Sequence, residues 1–325
     1  MKVKILIIFL LLGNCLHSQT ESFPLYPNPV KIPVYLSATF AEIRTNAFHA
    51  GVDIRTQGVE GKEVFAVADG YVSRIGVSPF GYGKVLYITH DDGFTSVYAH
   101  LSKFNKTIAD FVKMKQYENK SFSQNILLEE DMFPIKRGDF LGFTGNSGGS
   151  GGPHLHYEIR YTDTQEPVNP LFFGLKIKDN IKPCIKGLAI YPLENSIVNG
   201  STSPFYTYSL DNPSFEVGGD IAFGINVFDQ ADGSNNKNGP YSIELFADDK
   251  LIFSITSYKY SYSETRYVNS LIDYSYFINN KERFIRTEID ELNKLSVYNV
   301  KKGIVTVNKG DTLNMKYVVK DYNNN

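Results

Sequence analysis

Five side chains that can bind a metal or transfer a proton lie in three short segments of the first half of the chain. They are His49 and Asp53 in residues 48–53, His100 in residues 98–101, and His154 and His156 in residues 152–158. Imidazole nitrogen and carboxylate oxygen are ligands that suit Zn²⁺. Two histidines and one aspartate would leave a fourth metal position open for water, which is typical of catalytic zinc. The residue types therefore favour a hydrolytic metal centre.

The last of these segments has the alternating pattern of a β-strand. Leu155, Tyr157 and Ile159 would share one buried face, and His154, His156 and Glu158 would share the other. Residues two positions apart in a strand are separated by about 6.6 Å. One imidazole of the pair can therefore hold a metal while its neighbour reaches a water bound to that metal.

The first pair is four positions apart and is expected to converge at a bend. Gly51, with the β-branched residues around it, favours a bend that enters a strand over a helix, and glycine lets the backbone curl. His100 is expected on a strand, either as a fourth ligand or as a group near the reacting carbonyl. His90 lies at the end of the preceding strand and is interpreted as structural or solvated.

A glycine-rich run at residues 145–152 leads directly into the His-x-His pair. It is interpreted as a groove wall that an extended peptide approaches closely, without a packing purpose of its own. The His49-x-x-x-Asp53 pair, residues 98–101 and residues 145–156 together resemble the motif set of lysostaphin/LytM-type zinc metallopeptidases. Residues 67–70 and 136–139 also match that pattern. The resemblance covers roughly residues 36–174 and nothing in the second half of the chain.

The resemblance implies an antiparallel β-sheet groove fold, one Zn²⁺ per chain, and hydrolysis of peptide bonds in bacterial peptidoglycan. Matched by position, His49, Asp53 and His156 are the zinc ligands, and His154 and His100 are the catalytic histidines. We expect His154 to take a proton from the attacking water and His100 to hydrogen-bond the developing oxyanion or the water. The insertion at residues 103–134 departs from the family pattern and is expected to reshape one wall of the groove.

Two other functions fit parts of this pattern. One is a non-catalytic module that binds the cell wall or activates another hydrolase, although such a module would be expected to have lost ligands. The other is a zinc peptidase that acts on secreted proteins instead of peptidoglycan.

The elements that must position these side chains are mostly strands. In the first region, residues 36–175, the sequence predicts strands at 64–68, 70–75, Lys84–Thr89 and 94–101, with an Asp-Gly hairpin turn between the last two. A short amphipathic helix is predicted at 107–117, with Thr107 as its N-cap. The helix is interpreted as a packing element more readily than as a substrate lid.

The second half, residues 185–325, is predicted to be an immunoglobulin-like β-sandwich of unknown role. Strands are expected at 187–191, 221–228, 241–247, 250–258, 303–307 and 313–319. This region contains no histidine. It could bind wall polymer, dock a protein partner or act as a spacer, and its tyrosines near 258–262 and 274–276 are interpreted as packing.

The N-terminus predicts export. Residues 1–18 read as a signal peptide, with Lys2 and Lys4 before an apolar stretch too short to span a bilayer. A buried first element and lipoprotein anchoring at Cys15 are the less favoured alternatives. Residues 19–35 read as an extended linker. The protein is thus expected in the periplasm, the cell envelope or the medium, with no transmembrane helix after signal removal.

Composition sets the remaining limits. The 325 residues carry a net charge of −2, and no concentrated basic patch is visible, which argues against a nucleic-acid partner. After signal removal Cys184 is the remaining cysteine, so no intramolecular disulfide can form. Cys184 is expected to be a small buried apolar residue.

Overall fold

The computed structural model describes residues 3–5, 22–211 and 213–325. The predicted export signal, with Cys15, lies outside the described residues apart from one three-residue strand at its start. The strands up to residue 175 are β1 (Val3–Ile5), β2 (Leu36–Ala38), β3 (Ile43–Arg44), β4 (Ala47–Phe48), β5 (Val52–Arg55), β6 (Glu63–Phe65), β7 (Gly70–Val77), β8 (Lys84–Thr89), β9 (Phe94–Ala99), β10 (Lys103–Phe104), β11 (Gln124–Leu127), β12 (Pro134–Ile135), β13 (Phe140–Phe143), β14 (His154–Tyr161) and β15 (Pro167–Val168).

An antiparallel sheet dominates the N-terminal region, the name used here for residues 22–175. Its main order is β11-β7-β8-β9-β14-β5-β2, with β12 paired to β7 and β15 paired to β14. The predicted hairpin is present, since β8 pairs with β9 across a turn in which Gly93 has a φ of 87°. Alternate residues of these strands, among them Ile54, Leu86 and Leu155, are fully buried. This pattern fixes which face of each strand meets the core.

Strand β9 ends at Ala99, so the expectation that His100 lies on the strand is wrong. His100 has a φ of 59°, in the left-handed region that breaks a strand. Its backbone N–H donates to the carbonyl of Tyr82 at 2.9 Å, outside the ladder between β8 and β9. The change of direction turns the imidazole away from the position that strand alternation would give it.

The predicted helix forms as α1 (Lys106–Glu118), but its N-cap is Asn105 and not Thr107. The side chain of Asn105 accepts a hydrogen bond from the backbone N–H of Ile108 at 3.0 Å. The rest of the insertion adds β11 at the sheet edge opposite β2. Three strands separate β11 from β14, which carries the His-x-His pair.

The C-terminal region, residues 184–325, builds two six-stranded sheets, one of which also includes β1. Its strands are β16 (Cys184–Pro192), β17 (Ile197–Val198), β18 (Phe205–Thr207), β19 (Ser214–Phe215), β20 (Val217–Phe228), β21 (Ser242–Ala247), β22 (Lys250–Thr256), β23 (Ile285–Arg286), β24 (Tyr298–Lys301), β25 (Ile304–Val307) and β26 (Asn314–Lys320). One sheet has the order β19-β1-β26-β21-β22-β24, and the other has β17-β20-β16-β18 with β23 and β25 paired to β20.

Apolar side chains from both sheets line one space, among them Ile190 and Phe223 from one sheet and Met315 from the other. Helix α2 (Tyr274–Asn280) and two 3₁₀ helices, Pro170–Phe173 and Tyr262–Ser270, complete the described elements. The mainly β fold class is confirmed. The immunoglobulin-like arrangement and the domain boundaries remain predictions.

The two regions are packed against each other. Tyr260 is fully buried between the rings of Phe40 and Phe48, at centroid distances of 5.4 and 5.2 Å, and donates a hydrogen bond to the carbonyl of Phe48 at 3.2 Å. A single apolar cluster runs through both regions.

Two further observations concern the free thiol and the lengths of the helices. Cys184 is exposed, so the expectation of a buried thiol is wrong; it begins β16, where the chain leaves the segment between the regions. Within the described parts of the chain, we find no helix with the length and apolar character needed to cross a membrane.

Candidate metal centre

Pairing between β14 and β5 brings two of the predicted ligands together. His156 lies directly opposite Asp53 in the register, so their side chains project to the same face of the sheet. The distance from His156 Nδ1 to Asp53 Oδ1 is 2.8 Å. His49 comes in from the loop after β4, and its Nε2 lies 3.1 Å from both Asp53 Oδ1 and His156 Nδ1. The three predicted ligands therefore converge on one point.

The backbone holds His49 in the orientation that this convergence needs. Its Nδ1 lies 2.8 Å from the carbonyl of Thr39, which makes Nδ1 the protonated nitrogen and leaves a lone pair on Nε2. Gly51 allows the close approach of this segment to β14. A Cβ at Gly51 would lie 2.2 Å from the carbonyl oxygen of Tyr157. The glycine is therefore required for packing, whereas the sequence suggested a role in bending.

His156 is held from its far side by a buried charge network. Its Nε2 donates to Glu158 Oε1 at 2.7 Å, and Glu158 is completely buried. The carboxylate of Glu158 also accepts hydrogen bonds from Arg160 Nε at 2.7 Å, from Tyr82 at 2.6 Å and from Tyr262 at 3.2 Å. Both faces of β14 are thus buried, because Tyr82 and Tyr262 cover the face that the alternation left open.

The charges of this network shift several pKa values. Burial would raise the pKa of Glu158, but the charge of Arg160 and the hydrogen bond from His156 outweigh it and lower the pKa to about 2. Burial would lower the pKa of His156, but its hydrogen bonds to Asp53 and Glu158 raise the pKa to about 9. Burial opposes ionisation of Asp53 too, yet the surrounding imidazoles of His154, His156 and His49 hold its pKa well below the usual range.

The donor set fits a zinc ion. The lone pair of His49 Nε2 faces the ionised oxygen of Asp53 at 3.1 Å. Two acceptors at this distance repel each other unless a cation or a proton lies between them. Two imidazoles and one carboxylate match the ligand preference of Zn²⁺, and the far nitrogen of each imidazole is oriented by an oxygen acceptor, as is usual for metal-bound histidine.

The two remaining predicted histidines lie beside the three ligands. His154 Nδ1 is 2.8 Å from the carbonyl of Gly152, and its Nε2 is 3.4 Å from Asp53 Oδ1. His100 Nδ1 is 2.8 Å from the carbonyl of Ser147, and its ring lies 4.8 Å from the ring of His154. Burial lowers the pKa of His100 to about 4, so this imidazole is neutral at pH 7.

The glycine-rich run does have a packing purpose, contrary to expectation. Gly145 pairs with His154, and the N–H of Gly149 donates to the carbonyl of Gly81 at 2.8 Å. A Cβ at Gly148 would lie 2.3 Å from the backbone nitrogen of Gly83. Only Gly151 and its neighbour Gly152 face open space within this stretch. The run holds the loop that carries the acceptors for His100 and His154.

All five predicted site residues are thus brought together, whereas His90 is not part of the site. Its two ring nitrogens contact Asp69 O at 2.7 Å and Ser96 Oγ at 2.8 Å. The residues that support the ligands and the flanking histidines were not predicted from the sequence: Glu158, Arg160, Tyr82, Tyr262, Thr39, Ser147, and Arg44, which lies 3.6 Å from Asp53 Oδ2. Alternation in β14 placed Glu158 on the correct face, but no sequence signal indicated Tyr262.

The site and the sheet define a class, namely mainly β proteins with a candidate His/Asp metal site flanked by two further histidines. Residues 47–118 match peptidase family M23. The DD-carboxypeptidase/endopeptidase Mpg of Neisseria meningitidis serogroup B is 32% identical over 133 residues, which are 41% of this chain and 24% of that protein. The murein hydrolase activator NlpD of Escherichia coli is 31% identical over 121 residues, 37% of this chain and 24% of that protein. The chain thus spans about a quarter of the length of these curated relatives.

Among solved structures, the catalytic domain of lysostaphin from Staphylococcus simulans is 22% identical, with a TM-score of 0.32, over 43% of this chain and 91% of that chain. Residues 47–118 thus resemble peptidase family M23, and the similarity to Mpg extends over 133 residues. The resemblance to lysostaphin/LytM-type peptidases that the motifs predicted is therefore confirmed.

Proposed function

We propose that the protein is an exported zinc-dependent endopeptidase that hydrolyses peptide crosslinks or stem peptides of bacterial peptidoglycan. The observation that carries the proposal is the convergence of His49, Asp53 and His156 on one point with His100 and His154 beside them. The match of residues 47–118 to peptidase family M23 and the 32% identity to a DD-carboxypeptidase/endopeptidase support the substrate class. The predicted export signal supports the location.

His49 Nε2, Asp53 Oδ1 and His156 Nδ1 would hold the metal. When bound, Zn²⁺ would polarise the scissile carbonyl and make a water molecule more acidic. The protein itself supplies the orientation of the ligands, through Thr39 for one imidazole and Glu158 for the other. These hydrogen bonds fix the orientation of both imidazole rings, so the ligand nitrogens point at the metal position before the metal binds.

The proton-transfer roles follow from which ring nitrogen of each histidine already donates a hydrogen bond. In both His154 and His100 a backbone carbonyl accepts from Nδ1, so the neutral form of each imidazole has its unprotonated nitrogen at Nε2. Each ring can therefore accept a proton from the attacking water and can donate only after it has done so. We assign His154, whose Nε2 lies 3.4 Å from Asp53, as the proton acceptor that later protonates the leaving amine. His100 would then act on the oxyanion only in its protonated form, which modifies the donor role predicted from the sequence.

The proposal is tested by separating metal binding from proton transfer. Residues 19–325, the chain without its predicted signal, would be incubated with purified crosslinked peptidoglycan while zinc content is measured by mass spectrometry. His154→Ala should retain zinc and lose conversion of crosslinked dimers to monomers by about 10²–10⁴-fold. Asp53→Ala should lose both the metal and the activity. Asp163→Ala, on an exposed turn, is the control and should change neither. A zinc-loaded wild-type protein that leaves the dimers intact would overturn the proposal.

A second function is favoured by the 31% identity to the murein hydrolase activator NlpD. In that case the protein would stimulate another wall hydrolase and would not cut peptides itself. The experiment above distinguishes the two if a purified murein hydrolase is added. Stimulation of that hydrolase by wild type and by His154→Ala alike, without any intrinsic cleavage, would support the activator function.

A further inference from the structure

Three aspartates from separate segments meet where the two regions join, and we call them the junction cluster: Asp179, Asp229 and Asp321. Each can place a carboxylate oxygen within 4.8 Å of the oxygens of the other two. Asp179 lies in the segment before β16, Asp229 follows β20, and Asp321 follows β26. Asp229 and Asp321 are only 5% and 2% exposed. Buried carboxylates at this spacing repel each other strongly.

The junction cluster also contains polar atoms that lack a protein partner. Among the described residues, Oδ1 of Asp229 has no hydrogen-bond partner, and neither has Oδ1 or Nδ2 of Asn238, which is 3% exposed. Asn238 lies directly opposite Asp229, since each backbone N–H donates to the carbonyl of the other at 2.9 and 2.8 Å. Directly opposed residues of an antiparallel pair project to the same face. A buried amide oxygen that no described residue satisfies therefore lies on the same face as the carboxylate of Asp229.

The charges that act on Asp229 are of the same sign as its own. The charged neighbours that act on Asp229 are Asp179 and Asp321, and burial together with these carboxylates raises the pKa of Asp229 to about 7. Asp321 is partly satisfied, because it accepts from the backbone N–H and side-chain amide of Asn325 at 2.8 and 2.7 Å. Nearby Asp232 differs, because it has Asn180 at 2.8 Å and Lys178 at 3.8 Å as partners. The junction cluster needs either a cation or shared protons.

We propose that the junction cluster is a calcium site, with the carboxylates of Asp179, Asp229 and Asp321 and the amide oxygen of Asn238 as ligands. The donor set is oxygen only, which suits a hard cation and not Zn²⁺. Calcium accepts 6–8 oxygens in irregular geometry, whereas Mg²⁺ demands a near-ideal octahedron. Ligands that come from three separate segments and a loop favour the more tolerant ion.

The site would order a loop that supports the metal centre of the N-terminal region. Residues 229–239 start at the cluster and then contact strand β2 and its surroundings. Asn236 donates to the carbonyl of Ser37 at 3.0 Å, and Thr39 Oγ1 donates to the carbonyl of Gly239 at 3.2 Å. The carbonyl of Thr39 is the acceptor that orients His49. Calcium at the junction is therefore linked to the zinc ligand through a short, continuous set of contacts.

The test measures thermal unfolding of residues 19–325 in metal-depleted buffer with a constant low zinc concentration, with and without CaCl₂. Wild type should gain about 5 °C in Tm at calcium about one hundred times above its Kd, because only the folded state offers the site. Asp229→Asn and Asp321→Asn should lose that gain. Asp220→Asn, an exposed residue at the other end of β20, is the matched control and should keep it.

A direct binding measurement covers the case in which one variant fails to fold. When terbium binds, its luminescence sensitised by tyrosine should appear, since Tyr322 is adjacent to Asp321, and added CaCl₂ should displace the terbium.

No calcium-dependent change in Tm, together with stabilisation by Asp229→Asn, would overturn the proposal and show that the carboxylates share protons. An equal response to MgCl₂ at the same concentration would overturn the assignment to calcium. Neither result depends on whether the zinc centre is active.

Discussion

At the scale of single residues, the second nitrogen of each imidazole determines what the first can do. His49 and His156 have their far nitrogens held by Thr39 and Glu158, so their near nitrogens face Asp53. His154 and His100 are held by backbone carbonyls and present an unprotonated Nε2 at the edge of the site. Residue types alone do not separate ligands from proton carriers here. The separation comes from position, because the ligand nitrogens of His49 and His156 lie 3.1 and 2.8 Å from Asp53 Oδ1, whereas Nε2 of His154 lies 3.4 Å away.

Glu158 should therefore control zinc affinity although it does not touch the metal. In Glu158→Gln the neutral amide would no longer strengthen His156 as a ligand, and zinc should bind about 10–100-fold more weakly. Competition with a chromogenic chelator measures the affinity. Urea unfolding of the metal-free protein separates this effect from loss of stability caused by the unpaired Arg160. Glu60→Gln, at an exposed position, is the control. Unchanged affinity in a folded Glu158→Gln protein would contradict the role.

Zinc binding should also compete with protons at His156. The carboxylates of Asp53 and Glu158 raise the pKa of this imidazole to about 9 against the effect of burial, so at pH 7 the metal-free ring carries both protons. Nδ1 must lose its proton before it can bind zinc. Affinity should rise by about tenfold per pH unit below about pH 9 and level off above it. Calorimetry in two buffers of different ionisation enthalpy should detect the released proton. A zinc affinity that does not vary between about pH 6 and 8 would contradict the raised pKa of His156.

At the scale of elements, the β14–β5 register and the glycine-rich run position the site. Strand alternation was sufficient to predict that His154, His156 and Glu158 share a face of β14, because side-chain direction in a strand has a fixed period. The left-handed φ of His100 could not be predicted, because it depends on a hydrogen bond to Tyr82 in another loop. The burial of Glu158 was not predictable for the same reason, since Tyr262 comes from the other region of the chain.

The glycines of the run differ in what they tolerate, and this can be measured. Gly148 has a φ of 77° and no room for a Cβ against residues 81–83, whereas nothing lies within 4 Å of a Cβ at Gly151. Gly148→Ala should cost about 2–4 kcal/mol in unfolding free energy and reduce activity, because the loop that holds His100 through Ser147 must shift. Gly151→Ala should behave as wild type. Equal stability of the two variants in urea unfolding would show that the loop is not packed as described.

At the scale of the whole molecule, the second half of the chain is part of the environment of the site. Tyr262 donates to Glu158, Tyr260 packs between Phe40 and Phe48, and the latter immediately precedes His49. The sequence predicted two domains, at residues 36–175 and 185–325, but not the contact between them, because composition reveals strands and not the surfaces that they bury against each other. The tyrosines near 258–262 do pack, as interpreted, yet they pack on the N-terminal region.

This contact should make the two regions unfold together. Tyr260 is 1% exposed, so Tyr260→Ala should lower the unfolding free energy by about 3–5 kcal/mol and loosen the segment that carries His49. The unfolding transition seen by circular dichroism and the release of zinc should be followed in the same urea titration. Both should move to a lower urea concentration by the same amount. Tyr274→Ala, at a position that is 44% exposed, should leave both transitions unchanged. If Tyr260→Ala shifts only the circular dichroism transition and zinc is released at the wild-type urea concentration, then the metal centre is stable without the C-terminal region, and the two halves are independent domains.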